Sequence, residues 1–233
     1  MDALRTSSQP DLNERLRAAS AAGRRTPLWL RICFWISIVI AVAVVVRRIF
    51  ALVSPPKSAP PLMAGLDADF ASHTVLTLAH IVPALAFVLI LPFYFFGGSR
   101  VAARTKRLIY ALGAIVGITA FAMSRYSVGG WTERSAVLLF NTVFLIALGR
   151  AYVFMTRGDG DEERRWFLRA IVILLGIATT RPVMGVFFAT APLTHLVPSQ
   201  FFGIAFWIGF SINALVVELW LRYTARRAIP LSH

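Results

Sequence analysis

Two polar side chains stand inside stretches that are otherwise hydrocarbon: His80, in Leu-Thr-Leu-Ala-His-Ile-Val, and Arg181, in Ile-Ala-Thr-Thr-Arg-Pro-Val. An arginine placed in a bilayer costs a few kcal/mol or more unless a partner, water or a ligand receives it, so Arg181 marks a candidate binding site. A neutral histidine donates from one ring nitrogen and accepts at the other, which lets His80 take a hydrogen bond from Arg181 or share a ligand with it. Counted from the ends of their apolar runs at about 1.5 Å per residue, both lie about 10–12 Å deep. Thr180, Asn141 and Asn213 are the polar side chains that complete a site at that level if their helices meet. A second reading stays open, in which Arg181 snorkels outward or satisfies a carbonyl freed by Pro182 or Pro83.

Other chemistries find less support in the residue types and spacings. His73, Thr77 and His80 fall on one helical face and make a polar stripe. A membrane haem needs axial histidines on different helices at matched depth. His80 alone is well inside an apolar run, while His73 and His195 lie at its edges and His233 ends the chain. Asp67, Asp69, His73 and His195 are suitable metal-ligand types, but no short histidine spacing gathers them. No phosphate-binding glycine loop, nucleophile elbow or paired-carboxylate motif occurs. Arg150 and Glu218 sit at similar depth near the opposite membrane face and are expected to form a structural ion pair, with Arg222 as the alternative partner of Glu218 one turn on.

The elements that carry these residues are long apolar runs. Hydropathy predicts six transmembrane helices over about 28–46, 73–96, 108–124, 131–155, 166–189 and 199–223. They form a single domain over 27–224, between an arginine-rich tail at 1–26 and a short tail at 225–233. The first run has no cleavage site beyond its hydrophobic core and is expected to remain as an anchor. A proline-rich loop (Pro55, Pro56, Pro60, Pro61) precedes the second span, where Asp67 or Asp69 is placed to cap the helix. Gly113 and Gly117 predict close helix packing in the third span. Cys33, the single cysteine, reads as a small packing residue and rules out an intramolecular disulfide.

Composition supports this all-α membrane class: 58% of the 233 residues are hydrophobic and 15% charged, too apolar a balance for a soluble globule. The net charge of +13 does not imply nucleic acid, because the basic residues flank apolar runs rather than cluster on a polar face. They set the orientation instead. Of the 24, five (Arg47, Arg48, Lys57, Arg125, Arg134) fall opposite the N-terminus, Arg150 and Arg181 lie within spans, and the other seventeen fall on the N-terminal side. By the positive-inside bias both termini are cytoplasmic. All but Lys57 and Lys106 are arginine, which with the abundant alanine suggests a GC-rich bacterial genome and hence a bacterial inner membrane.

At Arg150, Arg157-Gly158-Asp159, Arg164-Arg165-Trp166-Phe167-Leu168-Arg169 and Thr180-Arg181, the chain resembles the bacterial membrane proteins of the domain of unknown function 2306 family, over about Phe70 to Arg222. Members tend to carry a histidine in the helix matching span two, a His-Arg opening the next, and a His-Arg-x-Trp-Met-Ile-Arg segment opening the fifth before a late arginine. His80, Trp166, Arg169 and Arg181 match that pattern, whereas Lys106 and Glu163 stand where the second and third histidines belong. If those histidines hold a metal or haem in the family, the resemblance implies that this chain has lost that capacity.

Three functional expectations result. The first is a non-enzymatic membrane protein that binds or moves a small anionic or amphiphilic molecule in an outer-half polar pocket. The second is an oxidoreductase module using haem or quinone, and the third a structural subunit of a larger membrane complex. The topology is testable by reporter fusions, which should place Ala59, Ser127 and Thr194 outside the cell and Gly98, Asp159 and His233 inside. Reversal at two of these sites would overturn the six-span arrangement.

Overall fold

The computed structural model describes residues 28–53, 67, 68, 70–96 and 99–227, with backbone alone for 99–104 and 227. The arginine-rich N-terminal tail, the proline-rich loop, Asp69 as a cap and the last six residues lie outside the described residues. Within them the chain is helical: α1 Leu28–Val53, α2 Thr74–Phe96, α3 Ser99–Met123, a single 3-10 turn Ser124–Tyr126, α4 Gly130–Arg157, α5 Gly160–Leu174, α6 Gly176–Thr194 and α7 Pro198–Arg227. Six stretches are long and apolar enough to cross a membrane, α5 and α6 together making one of them. The chain divides into two compact units, Met1–Ile36 and Ser37–His233.

In the first unit the described residues are the opening turns of α1, where Leu28, Trp29, Ile32, Trp35 and Ile36 are all exposed. Cys33 is exposed with them rather than packed. In the second unit α2 packs on α3, α3 on α4, α4 on both α5 and α7, and α6 on α7, so α4 and α7 are central. The surface inverts the soluble pattern. Only 17–39% of each span's most apolar window is buried, and side chains such as Ile118, Leu215 and Leu219 point outward. A water-soluble monomer does not expose apolar area on this scale, whereas a bilayer is a good solvent for it.

Local sequence explains where helices start and stop. Gly158 takes a left-handed conformation, φ 76°, and its N–H returns to Met155 O at 3.2 Å, ending α4. Asp159 then caps α5 by accepting from Glu162 N at 3.2 Å, and the acids of that first turn favour a helix N-terminus. The polar segment 156–165 is therefore mostly helix, with only Gly158 and Asp159 between α4 and α5. The fifth span departs from the single helix predicted over 166–189. It starts earlier, ends later and breaks at Leu175. There Asn213 of α7 donates to Val172 O at 2.7 Å, and Gly176 lies so near Phe210 that an added Cβ would sit 2.5 Å from the ring.

Glycines set the closest approaches. Gly113 faces Leu148 and Phe87, and Gly117 faces Leu145, so the Gly-x-x-x-Gly pair does mediate packing of α3 on its neighbours. Against backbone rather than side chain, a Cβ on Gly203 would lie 2.6 Å from Glu133 N, and one on Gly209 would lie 2.8 Å from Thr180 N. Backbone cannot yield as a side-chain tip can. Gly203→Ala should therefore lower stability in detergent by about 1–3 kcal/mol. Gly149→Ala, whose Cβ meets nothing within 4 Å, should leave it unchanged or slightly raised. Thermal unfolding of the two variants side by side reads the difference.

Candidate functional site

Within the Ser37–His233 unit lies a cavity of about 270 Å³, and helices from all six spans contribute to its wall. Its polar end is built where helices begin or finish: Arg48 near the end of α1, His73 just before α2, Tyr126 in the 3-10 turn and Glu133 in the first turn of α4. Its apolar end is lined by Phe140, Phe144, Phe206 and Phe210. Phe144 is three turns beyond Glu133, about 16 Å along the helix axis. The rings form a ladder, with Phe140 stacked on Phe210 at 5.4 Å and Phe210 against Phe206 at 5.7 Å between centroids. Such a slot has an amphiphilic wall, charged at one end and aromatic at the other.

Arg181 and His80 both line this cavity. The Arg181 side chain runs toward the C-terminal end of α6, where Nη1 lies 3.6 Å from Met184 Sδ, and Nε is buried with no hydrogen-bond partner. Its direction is that of snorkelling, yet the guanidinium ends in the cavity and takes no backbone carbonyl. His80 does not bond to it. Its Nδ1 lies 2.9 Å from Thr119 Oγ1, whose hydroxyl also reaches Ile115 O at 2.7 Å. His73 stacks on Tyr126 with centroids 3.6 Å apart and meets Ser72 Oγ at 2.8 Å.

The remaining sequence-derived candidates separate. Asn141 lines the cavity, although its Nδ2 is committed to Gly117 O at 2.8 Å. Thr180 and Asn213 are not in the wall. Thr180 is fully buried and donates to Ile177 O at 2.7 Å, while Asn213 accepts from Thr179 Oγ1 at 2.7 Å as it braces the break in the fifth span. Helix backbone takes the Thr180 hydroxyl, and Val172 O and Thr179 take the Asn213 amide. Two residues that sequence reasoning left out belong to the wall. Glu133, 8% exposed, accepts from Gly129 N at 2.7 Å. Arg48 is held by Asp67 at 2.6 Å and lies 3.9 Å over the Phe70 ring. The available signal for Glu133 was an acid in the first turn of an apolar helix, following a Gly-Gly start.

The structural ion pairs also differ from expectation. Glu218 pairs with Arg169, Nε to Oε1 at 2.5 Å, and not with Arg150 or Arg222. The reason is local: α5 packs on α7, and Arg150 is drawn to the Trp166 ring instead, 4.4 Å from its centroid, with Arg169 at 4.6 Å from the same ring. Asp67, expected as a possible cap, joins Arg47 and Arg48. Lys106 and Glu163 form one ion pair at 2.6 Å, and Tyr110 donates to Glu163 at 3.1 Å. Among the described residues no three His, Cys, Asp or Glu side chains converge as a metal site, and His195 sits exposed in a left-handed cap, φ 54°.

Comparison with protein-family profiles, with curated proteins and with solved structures finds no match to this chain.

The charge pairs differ in burial, and that difference is measurable. Glu163 is 6% exposed in its side chain, so Lys106→Met leaves a buried carboxylate with only Tyr110 and should cost about 3 kcal/mol. Arg165→Met breaks the more exposed Arg165–Glu162 pair and should cost under about 1 kcal/mol. Unfolding of both variants in one detergent would reveal the gap, and equal effects would refute it.

Proposed function

We propose that this chain is a multi-pass protein of a bacterial inner membrane, with both termini cytoplasmic, that binds or moves a small anionic or amphiphilic molecule and performs no covalent chemistry itself. The observation that carries the reading is Arg181, a guanidinium whose Nε is buried without a partner at the wall of a cavity. A buried donor left unmade costs free energy comparable to a lost hydrogen bond and more when charged, and a ligand acceptor removes that cost. The aromatic end of the cavity supplies the second requirement, a surface for an apolar group. The resemblance to the domain of unknown function 2306 family belongs to the same reading, with the Lys106–Glu163 pair replacing two of that family's histidines by a structural bridge.

An oxidoreductase module using haem or quinone is the alternative, and a structural subunit of a larger complex the next. For haem, the geometry offers His73 and His80 about two turns apart on one chain segment, which cannot approach an iron from opposite sides. A quinone would enter as an amphiphile of the same cavity. The test is thermal stabilisation of purified protein against a panel of lipids, quinones and carboxylates. At least one member should stabilise, and Arg181→Met should weaken that effect about tenfold or more in concentration. Absence of any ligand-dependent shift would sink the reading, and a Soret band in the purified protein would favour the alternative.

A further inference from the structure

The charges facing the cavity describe the ligand more closely. Two guanidiniums and one carboxylate line it, from Arg48, Arg181 and Glu133. Arg48 is already neutralised by Asp67 at 2.6 Å. That leaves Arg181 and Glu133 as the two charges available to a guest. Both line the same cavity, yet they make no ion pair within 4.0 Å among the described residues. In a low-dielectric interior opposite charges held apart are poorly compensated, and the natural filler is a molecule that carries a complement for each.

Neither group is sated where it stands. Arg181 Nε has no partner, and Nη1 has only a thioether sulfur. Glu133 accepts from the neutral backbone donor Gly129 N through Oε2 at 2.7 Å, and its charge has no cation within 4.0 Å among the described residues. A plain anion would satisfy Arg181 but approach Glu133 with like charge. A plain cation would do the reverse. Only a guest with both signs gains at both ends. Beside this charge pair runs the ladder of Phe140, Phe206 and Phe210, which calls for an apolar group on the same frame. The volume of about 270 Å³ falls below the roughly 300–1,000 Å³ of drug-sized sites, so the guest is small, and a diacyl lipid does not fit inside.

We infer that the cavity is built for a small apolar zwitterion of amino-acid type, its carboxylate on Arg181, its ammonium on Glu133 and its apolar side group against the phenylalanine ladder. This deepens the proposed binding function and rests on it. The same paired charges occur in a zwitterionic lipid headgroup, and the experiment separates the two sources.

The experiment uses the full chain in detergent with three probes that share one aromatic group: L-phenylalanine, 3-phenylpropanoate without the ammonium, and 2-phenylethylamine without the carboxylate. Isothermal titration should show L-phenylalanine binding at least about tenfold tighter than either half-ligand. In Glu133→Gln, which can still accept from Gly129, that preference over 3-phenylpropanoate should collapse. If 3-phenylpropanoate binds wild type as tightly as L-phenylalanine, the zwitterion inference is overturned while the anionic reading stands. A preference unchanged in Glu133→Gln, or no binding of any probe, also overturns it. Failure of the broader panel of lipids, quinones and carboxylates as well would remove the binding function itself. In nanodiscs, displacement of L-phenylalanine by phosphatidylethanolamine but not by phosphatidylglycerol would assign the site to a lipid headgroup and overturn the free-molecule source.

Discussion

Hydrocarbon supplies no counter-charge, and that single constraint orders the polar interior of this bundle. Each ionised side chain that enters the helices must be received by protein, and most are. Lys106 and Tyr110 converge on Glu163, Arg169 holds Glu218, and Asp67 takes both Arg47 and Arg48. Trp166 receives the faces of Arg150 and Arg169 where no second carboxylate is at hand. These contacts tie α3 to α5 and α5 to α7 and α4, so electrostatic accounting and helix packing are one arrangement. Arg181 and Glu133 stand apart from it because they face a cavity rather than each other.

What the sequence makes legible follows from range. Hydropathy is summed over many residues, so the six spans emerge clearly, and the glycine spacing in α3 correctly announces close packing. Arg181 and His80 could be singled out because a polar group in an apolar run is visible without knowing its neighbours. Partner choice is not visible in that way. Arg150 and Glu218 match in depth, but depth leaves open the angle around each helix, and a nearby indole changed the outcome. Thr180 and Asn213 had the right depth too, and helix backbone had already claimed them.

Glu133 shows the opposite failure. It lies in the first turn of α4, where an acid is routine, and its Gly-Gly start does not say that Gly203 of α7 packs against it. Gly129 and Gly203 bring α7 against the start of α4, and that contact closes over the carboxylate. The burial of Glu133 thus depends on Gly203 of α7, far away in sequence, meeting Gly129 just before α4.

The break at Leu175 gives the fifth span a mechanical asymmetry. Arg181 lies six residues beyond it, about 9 Å, and Thr194 nineteen residues beyond, about 28 Å. Rotation of α6 by about 5° about that pivot would carry Thr194 through roughly 2.5 Å but Arg181 through less than about 1 Å, since displacement grows with lever length. Under such a rotation, proximity to the pivot would leave the guanidinium nearly stationary while the far end of α6 moved. A span without the break would have to translate its charge along with its end.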